Sequence, residues 1–365
     1  MNRILEIDPL DRIAVVEPGV ITAALRDAAQ AVGMFYPPDP GSVEMSTVGG
    51  NVATNAGGMC CVKYGVTADF VIGLEVVLAD GRVMRTGRRT VKGVAGYDLT
   101  HLIVGSEGTL GVVTEIMVRL VPSPLAARTV VASFDRLGAA GAAVAQMRRA
   151  GLAPSLMEIL DRTTLEAVDQ LAQMGLGRDI AALLLIQFDG ADSEAALAEV
   201  EEICAGCGAL DLASSSDPAE ATMLLEARRL ALPALERLGH CLLDDVAVPP
   251  SRTVDLIAGV EEISARLGVV IGVFGHAGDG NMHPTVIFDD ADPQSRSAAL
   301  AAFDAVTQQA LDLGGTITGE HGVGQLKRGW LARELDPTAQ SVHAAIKSAL
   351  DPQDLLNPGT AIPAV

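Results

Sequence analysis

The stretch "STVGGNVATNAGG", Ser46 to Gly58, packs Gly49, Gly50, Asn51, Thr54, Asn55, Gly57 and Gly58 into thirteen consecutive positions. Glycine lets a backbone approach another group closely and adopt positive φ. Asparagine and threonine add short donors and acceptors. Together they suit a planar heterocycle or a diphosphate held by main-chain N–H groups. The stretch also reads as an ordinary loop rich in turn formers, so its neighbours must decide.

Working outward, "RIAVVEPGV" before it reads as a short strand ending in Pro-Gly, and "ITAALRDAAQAVG" as a helix closed by Gly33. The whole run from Tyr36 to Thr67 reads as one long loop. After it, "FVIGLEVVLADGRVMRTG" gives two strands joined at Asp80-Gly81, a hairpin signal. Asp98 is placed to cap the helix "LTHLIVG", and "GSEGTLGVVTEIMVRL" runs from a glycine turn into an alternating strand.

"VPSPLAA", residues 121–127, reads as a linker, and the pattern changes beyond it. Strands are expected at 128–134, 155–160, 181–188 and 209–213, with helices at 136–150, 163–175 and 192–206. Without its extra helix this is a split β-α-β pair of ferredoxin-like type. Helices follow near 217–237 and 251–266, then the strand "GVVIGVF", a helix at 295–313 and two short helices before the tail "DPQDLLNPG". The expected domains are residues 1–122, 123–345, and a C-terminal segment 346–365 returning to the first.

Composition narrows the function. The 365-residue chain carries 26 basic and 46 acidic side chains, a formal charge of −20, which repels phosphate backbones and argues against a nucleic-acid role. Apolar residues reach 49%, but no run approaches the ~18 residues of a membrane span. The N-terminus "MNRILEIDPLDR" has no apolar signal core. The expected location is cytoplasmic, or peripheral to the inner membrane through a partner. Five cysteines show no framework spacing, and "CAGC", 204–207, reads as reduced thiols at a helix end. Neither a P-loop nor a G-x-G-x-x-G fingerprint is present.

The stretch "FGHAGDGNMHP", Phe274 to Pro284, reads as strand, turn, strand, with His276 and His283 on facing positions of the two arms. Directly opposed Cβ atoms lie ~4.5–5.5 Å apart, close enough for two imidazoles to share an ion. Glu320, in "TGEHGVG", is a carboxylate candidate for a third ligand. Two histidines and a glutamate leave coordination positions open for substrate, as catalytic zinc sites do.

Several motifs then line up in order. "EPGV", "PPDPGS", "STVGGNVATNAGG", "KYG", "GLEVVLADG", "GYDLTHLIVGSEGTLGVVTE" and "LNPG" resemble the vanillyl-alcohol-oxidase-like FAD enzymes. The closer resemblance is to the branch holding the glycolate oxidase D-subunit, D-lactate dehydrogenases and D-2-hydroxyglutarate dehydrogenase. It implies an α+β fold: a partial FAD-binding domain of that type plus a ferredoxin-like α+β cap. It also implies non-covalent FAD lying along Pro40, Gly41, Ser42, Gly49, Gly50, Asn51, Asn55, Gly57, Gly58, Gly65, Ser106, Gly108, Gly111 and Val113, with Asn357 closing the flavin site.

The same resemblance implies metal ligands His276, His283 and Glu320, a base at His321, and a substrate-carboxylate partner at Arg228 in "EARRLALPA". The metal expected is zinc, with manganese or iron as alternatives. Leu225 stands where the family has Trp, and Leu232 and Leu243 stand where the hydroxyglutarate enzyme has Thr and Lys. That favours a shorter or apolar substrate of the glycolate or D-lactate type, its hydride passing to the flavin. Electrons would continue to an iron–sulfur subunit, a quinone pathway or an electron-transfer flavoprotein, in a homo- or hetero-oligomer. The family's pyrophosphate loop, of Arg-Gly-x-Gly-Thr type, belongs ahead of "MNRILEID". Its lack motivates a competing reading, a non-catalytic or truncated member with impaired FAD binding. A flavin-free metallohydrolase is a third and leaves the glycine loops unexplained.

Overall fold

The structure is a computed structural model describing residues 1–176 and 179–362; the last three residues of the expected C-terminal segment lie outside it. The chain divides into two compact units, Met1–Ser123 with Glu320–Val365, and Pro124–Gly319. Residues 320–345, assigned to the cap from sequence, therefore pack with the first unit.

The first unit is built on a five-stranded antiparallel sheet in the order Ile4–Asp8, Ile13–Val16, Val112–Arg119, Val71–Val77, Val83–Gly87. Val16, Val76, Ile116 and Val118 are fully buried and pack with Leu25, Tyr36, Val48, Val52 and Phe70. The edge strand Ile4–Asp8 was not expected, because it is short and its period-two signal is weak.

The long glycine-rich segment is more ordered than expected. It contains the helices Val48–Thr54, Cys61–Tyr64 and Thr67–Phe70. Thr47 caps the first by accepting from the Gly50 amide, and Asn55 closes it in the left-handed conformation. Two glycines near its start hid this short helix from propensity reasoning. The helix expected after Asp98 does form, at Leu99–Ile103, with the Asp98 carboxylate accepting from the His101 amide.

The second unit carries an eight-stranded antiparallel sheet. Its order is Asp211–Ser215, Arg128–Phe134, Ala182–Phe188, Leu156–Asp161, Val270–His276, Asn281–Phe288, His240–Leu243, and Val246–Ala247 also pairs with Asn281–Phe288. The first four have the 4-1-3-2 spatial order of a ferredoxin-like quartet, as the alternating strand and helix pattern implies. The hairpin of the two histidines extends that sheet from the edge of Leu156–Asp161.

The helices Leu137–Arg149, Ser193–Gly206, Thr253–Leu267 and Pro293–Asp312 bury Ala143, Met147, Val200, Leu256, Val260 and Val306. The single helix expected near 217–237 is two, Pro218–Leu224 and Glu226–Glu236, divided at Leu225. Among the described residues the cysteines are free thiols. Burial pushes Cys204 up to about 12 and raises Cys207 too, so neither has the thiolate character of a redox pair. No described helix is long and apolar enough to cross a membrane.

Candidate functional site

In the second unit the hairpin register pairs Phe274 with His283 and His276 with Asn281. The two histidines are therefore diagonal neighbours on one face of the sheet, not the directly opposed pair expected. The four-residue turn between the strands sets that offset. Diagonal neighbours still meet when the side chains are long and planar. The imidazole centroids are 5.2 Å apart at 89°, and the two Nε2 atoms approach to 3.4 Å. Both side chains are buried.

The residue directly opposite His276 on the next strand is Glu158. Its carboxylate is fully buried; Oε1 accepts from His276 Nδ1 at 2.6 Å and Oε2 accepts from Arg228 Nε at 2.6 Å. Burial alone would raise this carboxyl, but the facing His276 and Arg228 outweigh it and hold it below the usual carboxylate range. Arg228 comes from the helix Glu226–Glu236, and its guanidinium lies 4.8 Å from the Phe274 ring centroid. Phe274 in turn faces His283, centroid to centroid 5.6 Å. Arg228, Phe274, His283, His276 and Glu158 thus close a ring of five contacting side chains.

A second carboxylate serves the other histidine. Asp245 Oδ1 lies 3.7 Å from His283 Nδ1, in ion-pair range. Its Oδ2 accepts from the Thr318 hydroxyl at 2.6 Å and from the Gly319 amide at 2.8 Å. The chain leaves this unit from a point fixed by the same carboxylate that attends His283.

This donor set fits a divalent ion. A carboxylate can only accept, so His276 carries its proton on Nδ1 and turns a lone pair outward at Nε2. Metal-binding histidines are held this way by an outer carboxylate. Two arrangements satisfy the 3.4 Å approach: His283 donates its Nε2 proton, or both nitrogens turn lone pairs on one cation. Within this unit His276, His283 and Asp245 thus bring two imidazoles and a carboxylate, groups of metal-ligand type, close together.

In the first unit the expected flavin residues divide into two groups. Gly49, Ser106, Gly108, Gly111 and Val113 line a hollow of about 410 Å³ together with Pro18, Gly19 and Thr47. That volume lies in the range of ligand pockets. Gly49 is obligatory there, since a Cβ would sit 2.5 Å from the Pro18 Cβ. A larger hollow, about 760 Å³, runs along residues 85–101 and contains none of the expected residues.

Other expected residues shape the loops. The Asn51 amide donates to Thr22 Oγ1 at 2.9 Å, and Asn55 Oδ1 accepts from the Ala68 amide at 2.8 Å. Pro40 and Ser42 offer backbone carbonyls to the Val43 and Met45 amides, Gly58 abuts Asp39, and Gly65 abuts Asp69. Gly41 has open space beside it, and Gly50 meets only the capping Thr47 oxygen.

Glu320 stands over Gly57: a Cβ at position 57 would lie 2.4 Å from its carboxylate Oε2. His321 is half-exposed, with Nε2 3.8 Å from Glu320 Oε1. The loop that follows is clamped by Glu107, whose carboxylate accepts from the Val323 and Gly324 amides at 2.7 and 2.9 Å. The carbonyl of Glu107 accepts from the Asn357 amide at 2.6 Å. Asn357 thereby holds backbone at Glu107.

Glu158, Asp245, Phe274 and Glu107 were missed from sequence. Glu158 had a signal: it is an acid flanked on both sides by apolar residues in the middle of "SLMEILD", a run whose centre otherwise reads as buried strand.

The family described as "FAD binding domain" matches residues 1–87, and "FAD linked oxidases, C-terminal domain" matches residues 123–361. The glycolate oxidase subunit GlcD of Bacillus subtilis (strain 168) is 44% identical over 362 residues, covering 98% of this chain and 77% of that protein. A D-lactate dehydrogenase of Anaerostipes hadrus is 35% identical, covering 98% of this chain and 78% of its own. The crystal structure of p-cresol methylhydroxylase with substrate bound shares the fold at TM-score 0.79 and 18% identity, covering 100% of this chain and 78% of that one. The α+β architecture of a vanillyl-alcohol-oxidase-type FAD domain with a C-terminal cap is thereby shown. The chain belongs to the FAD-linked oxidase family, in the branch of the glycolate oxidase D-subunits and D-lactate dehydrogenases.

Proposed function

We propose that the protein oxidises a short D-2-hydroxy acid of the glycolate or D-lactate type to its 2-oxo acid. The names of the relatives support the substrate class. The observation that carries the reading is the closed ring in the second unit. It holds an arginine suited to a carboxylate and a histidine pair suited to a cation around one buried glutamate.

Each residue has a defined task. Arg228 spends Nε on Glu158 and one face on Phe274, leaving its terminal amino groups for a bidentate pair with the substrate carboxylate. His276 and His283, with Glu320 next along the chain from the pinned Gly319, are the proposed ligands of a divalent ion, zinc before manganese or iron. His321 is the proposed base, its imidazole half-exposed to solvent. Leu225 is buried, and Leu232 and Leu243 are partly buried, offering no partner for a second, distal carboxylate. When bound, FAD supplies the hydride acceptor and the ion lowers the pKa of the 2-hydroxyl. The glycine loops, the hollow beside Gly49 and the Glu107 clamp are proposed to hold the cofactor.

The relatives named as glycolate oxidase subunits support a partner that takes the electrons onward. The test of the base is His321→Ala. Flavin reduction by substrate should stop while the bound-flavin spectrum persists, and unchanged reduction kinetics would remove His321 from its role.

A further inference from the structure

We propose that Glu158 is a positioning residue: one carboxylate fixes the tautomer of His276 and the aim of Arg228. This deepens the reading above and rests on its assignment of those two residues. Every residue of Leu156–Asp161 is buried, and Glu158 is 0% exposed. A lone carboxylate there is expensive unless each oxygen finds a charged or strongly polarised donor. The sheet register supplies one, by setting His276 directly opposite, and the helix Glu226–Glu236 supplies the other in Arg228.

The two contacts do different work. On the His276 side, the acceptor-only carboxylate requires a proton on Nδ1, so Nε2 presents a lone pair toward His283. Without that acceptor both neutral tautomers become accessible, and the Nε2-protonated one cannot ligate an ion through that atom. On the Arg228 side, the Nε contact and the Phe274 ring fix both the roll and the tilt of the guanidinium plane. The two halves of substrate recognition are therefore braced against a single side chain. A merely structural ion pair would need neither the short Nδ1 contact nor the exclusive use of Nε.

The experiment reads the tautomer directly, by long-range ¹H–¹⁵N correlation on full-length protein labelled at histidine, with no metal or substrate added. Wild-type His276 should show a protonated Nδ1 and a bare Nε2. In Glu158→Gln, where an NH2 donor replaces one of the two oxygens that accept from His276 and Arg228, that pattern should give way to a mixture. Cobalt(II), added alone, should then bind about 10- to 100-fold more weakly than to wild type. Retention of both the wild-type tautomer and the wild-type cobalt affinity in Glu158→Gln would overturn the proposal. So would a protonated Nε2 on His276 in the wild type, a result that needs no variant. If Glu158→Gln does not fold, Glu158→Gln with Arg228→Met removes the uncompensated cation, and the same measurement applies. If wild-type protein binds no cobalt but shows the Nδ1 tautomer, the metal reading fails while the hold of Glu158 on His276 stands.

Discussion

Glu158 and His276 sit directly across the sheet from each other, carboxylate oxygen to Nδ1 at 2.6 Å, and the same carboxylate holds Arg228 on its other side. Strand register makes the first contact and helix placement the second. Neither depends on a flexible loop, so the ring should be as rigid as the sheet beneath it.

Breaking one side of that buried pair should be costly. Arg228→Met leaves the Glu158 charge without its guanidinium, in a site where Arg228 itself is only 14% exposed. A loss of about 3–5 kcal/mol is expected, by the usual penalty for an uncompensated buried charge. Adding Glu158→Gln to that variant should restore part of it. Denaturant melts of the four proteins in the cycle measure the coupling, and strict additivity would show that the two side chains do not act as a unit.

Asp161, at the end of the same strand, behaves in the opposite sense. Burial pushes its carboxyl up to about 6, against hydrogen bonds from Thr164 and Val273, and the charge of Glu261 adds to the rise. A carboxyl whose folded pKa is raised favours the native state below its unfolded value, here 3.8, and loses that contribution as pH climbs through about 6. The contribution is on the order of 3 kcal/mol. Asp161→Asn keeps an oxygen to cap the Arg162–Ala172 helix and has no charge to bury. Its melting temperature should exceed that of wild type by more at pH 8 than at pH 5. An equal difference at both pH values would contradict the raised pKa.

Much of this was legible in sequence, for reasons that differ by place. The glycine-dense motifs and the H-x6-H spacing were visible because they break the local pattern. The strand and helix periods of 128–206 also read cleanly, since each strand is a short, mainly apolar run and each helix is bounded by polar turns. The diagonal offset of His276 and His283 was not legible, because turn geometry decides which residues face each other. Glu158 could not be paired with His276 either: residues 118 positions apart meet only once the strand order is known.

The Glu107 clamp gives a local prediction. Glu107→Ala removes both acceptors of the Val323 and Gly324 amides, in a residue already held at a φ of 51°. Two hydrogen bonds to a charged acceptor amount to about 3 kcal/mol or more of local stability. Hydrogen exchange at those two amides should accelerate strongly, with little change in the strand amides of Val112–Arg119. Unchanged protection at Val323 and Gly324 would show that the clamp does not hold in solution.

Gly57→Ala probes the other approach. The new methyl would lie 2.4 Å from Glu320 Oε2 and 3.3 Å from both Glu320 Cβ and Cys61 Sγ, so the carboxylate should swing away and its neighbours give slightly, at small cost in global stability. Near wild-type melting, retained yellow colour after incubation with FAD, and weakened metal retention on elemental analysis are expected. Full metal content in that variant would count against Glu320 as a ligand.

The most direct test is anaerobic rapid mixing of FAD-loaded protein with single 2-hydroxy acids, following loss of the flavin's visible absorbance. The proposed oxidation entails bleaching by glycolate or D-lactate, none by L-lactate, and a strongly diminished rate in Arg228→Lys, which cannot form the bidentate pair. Protein that carries bound FAD and its metal yet stays yellow with every short D-2-hydroxy acid would contradict it.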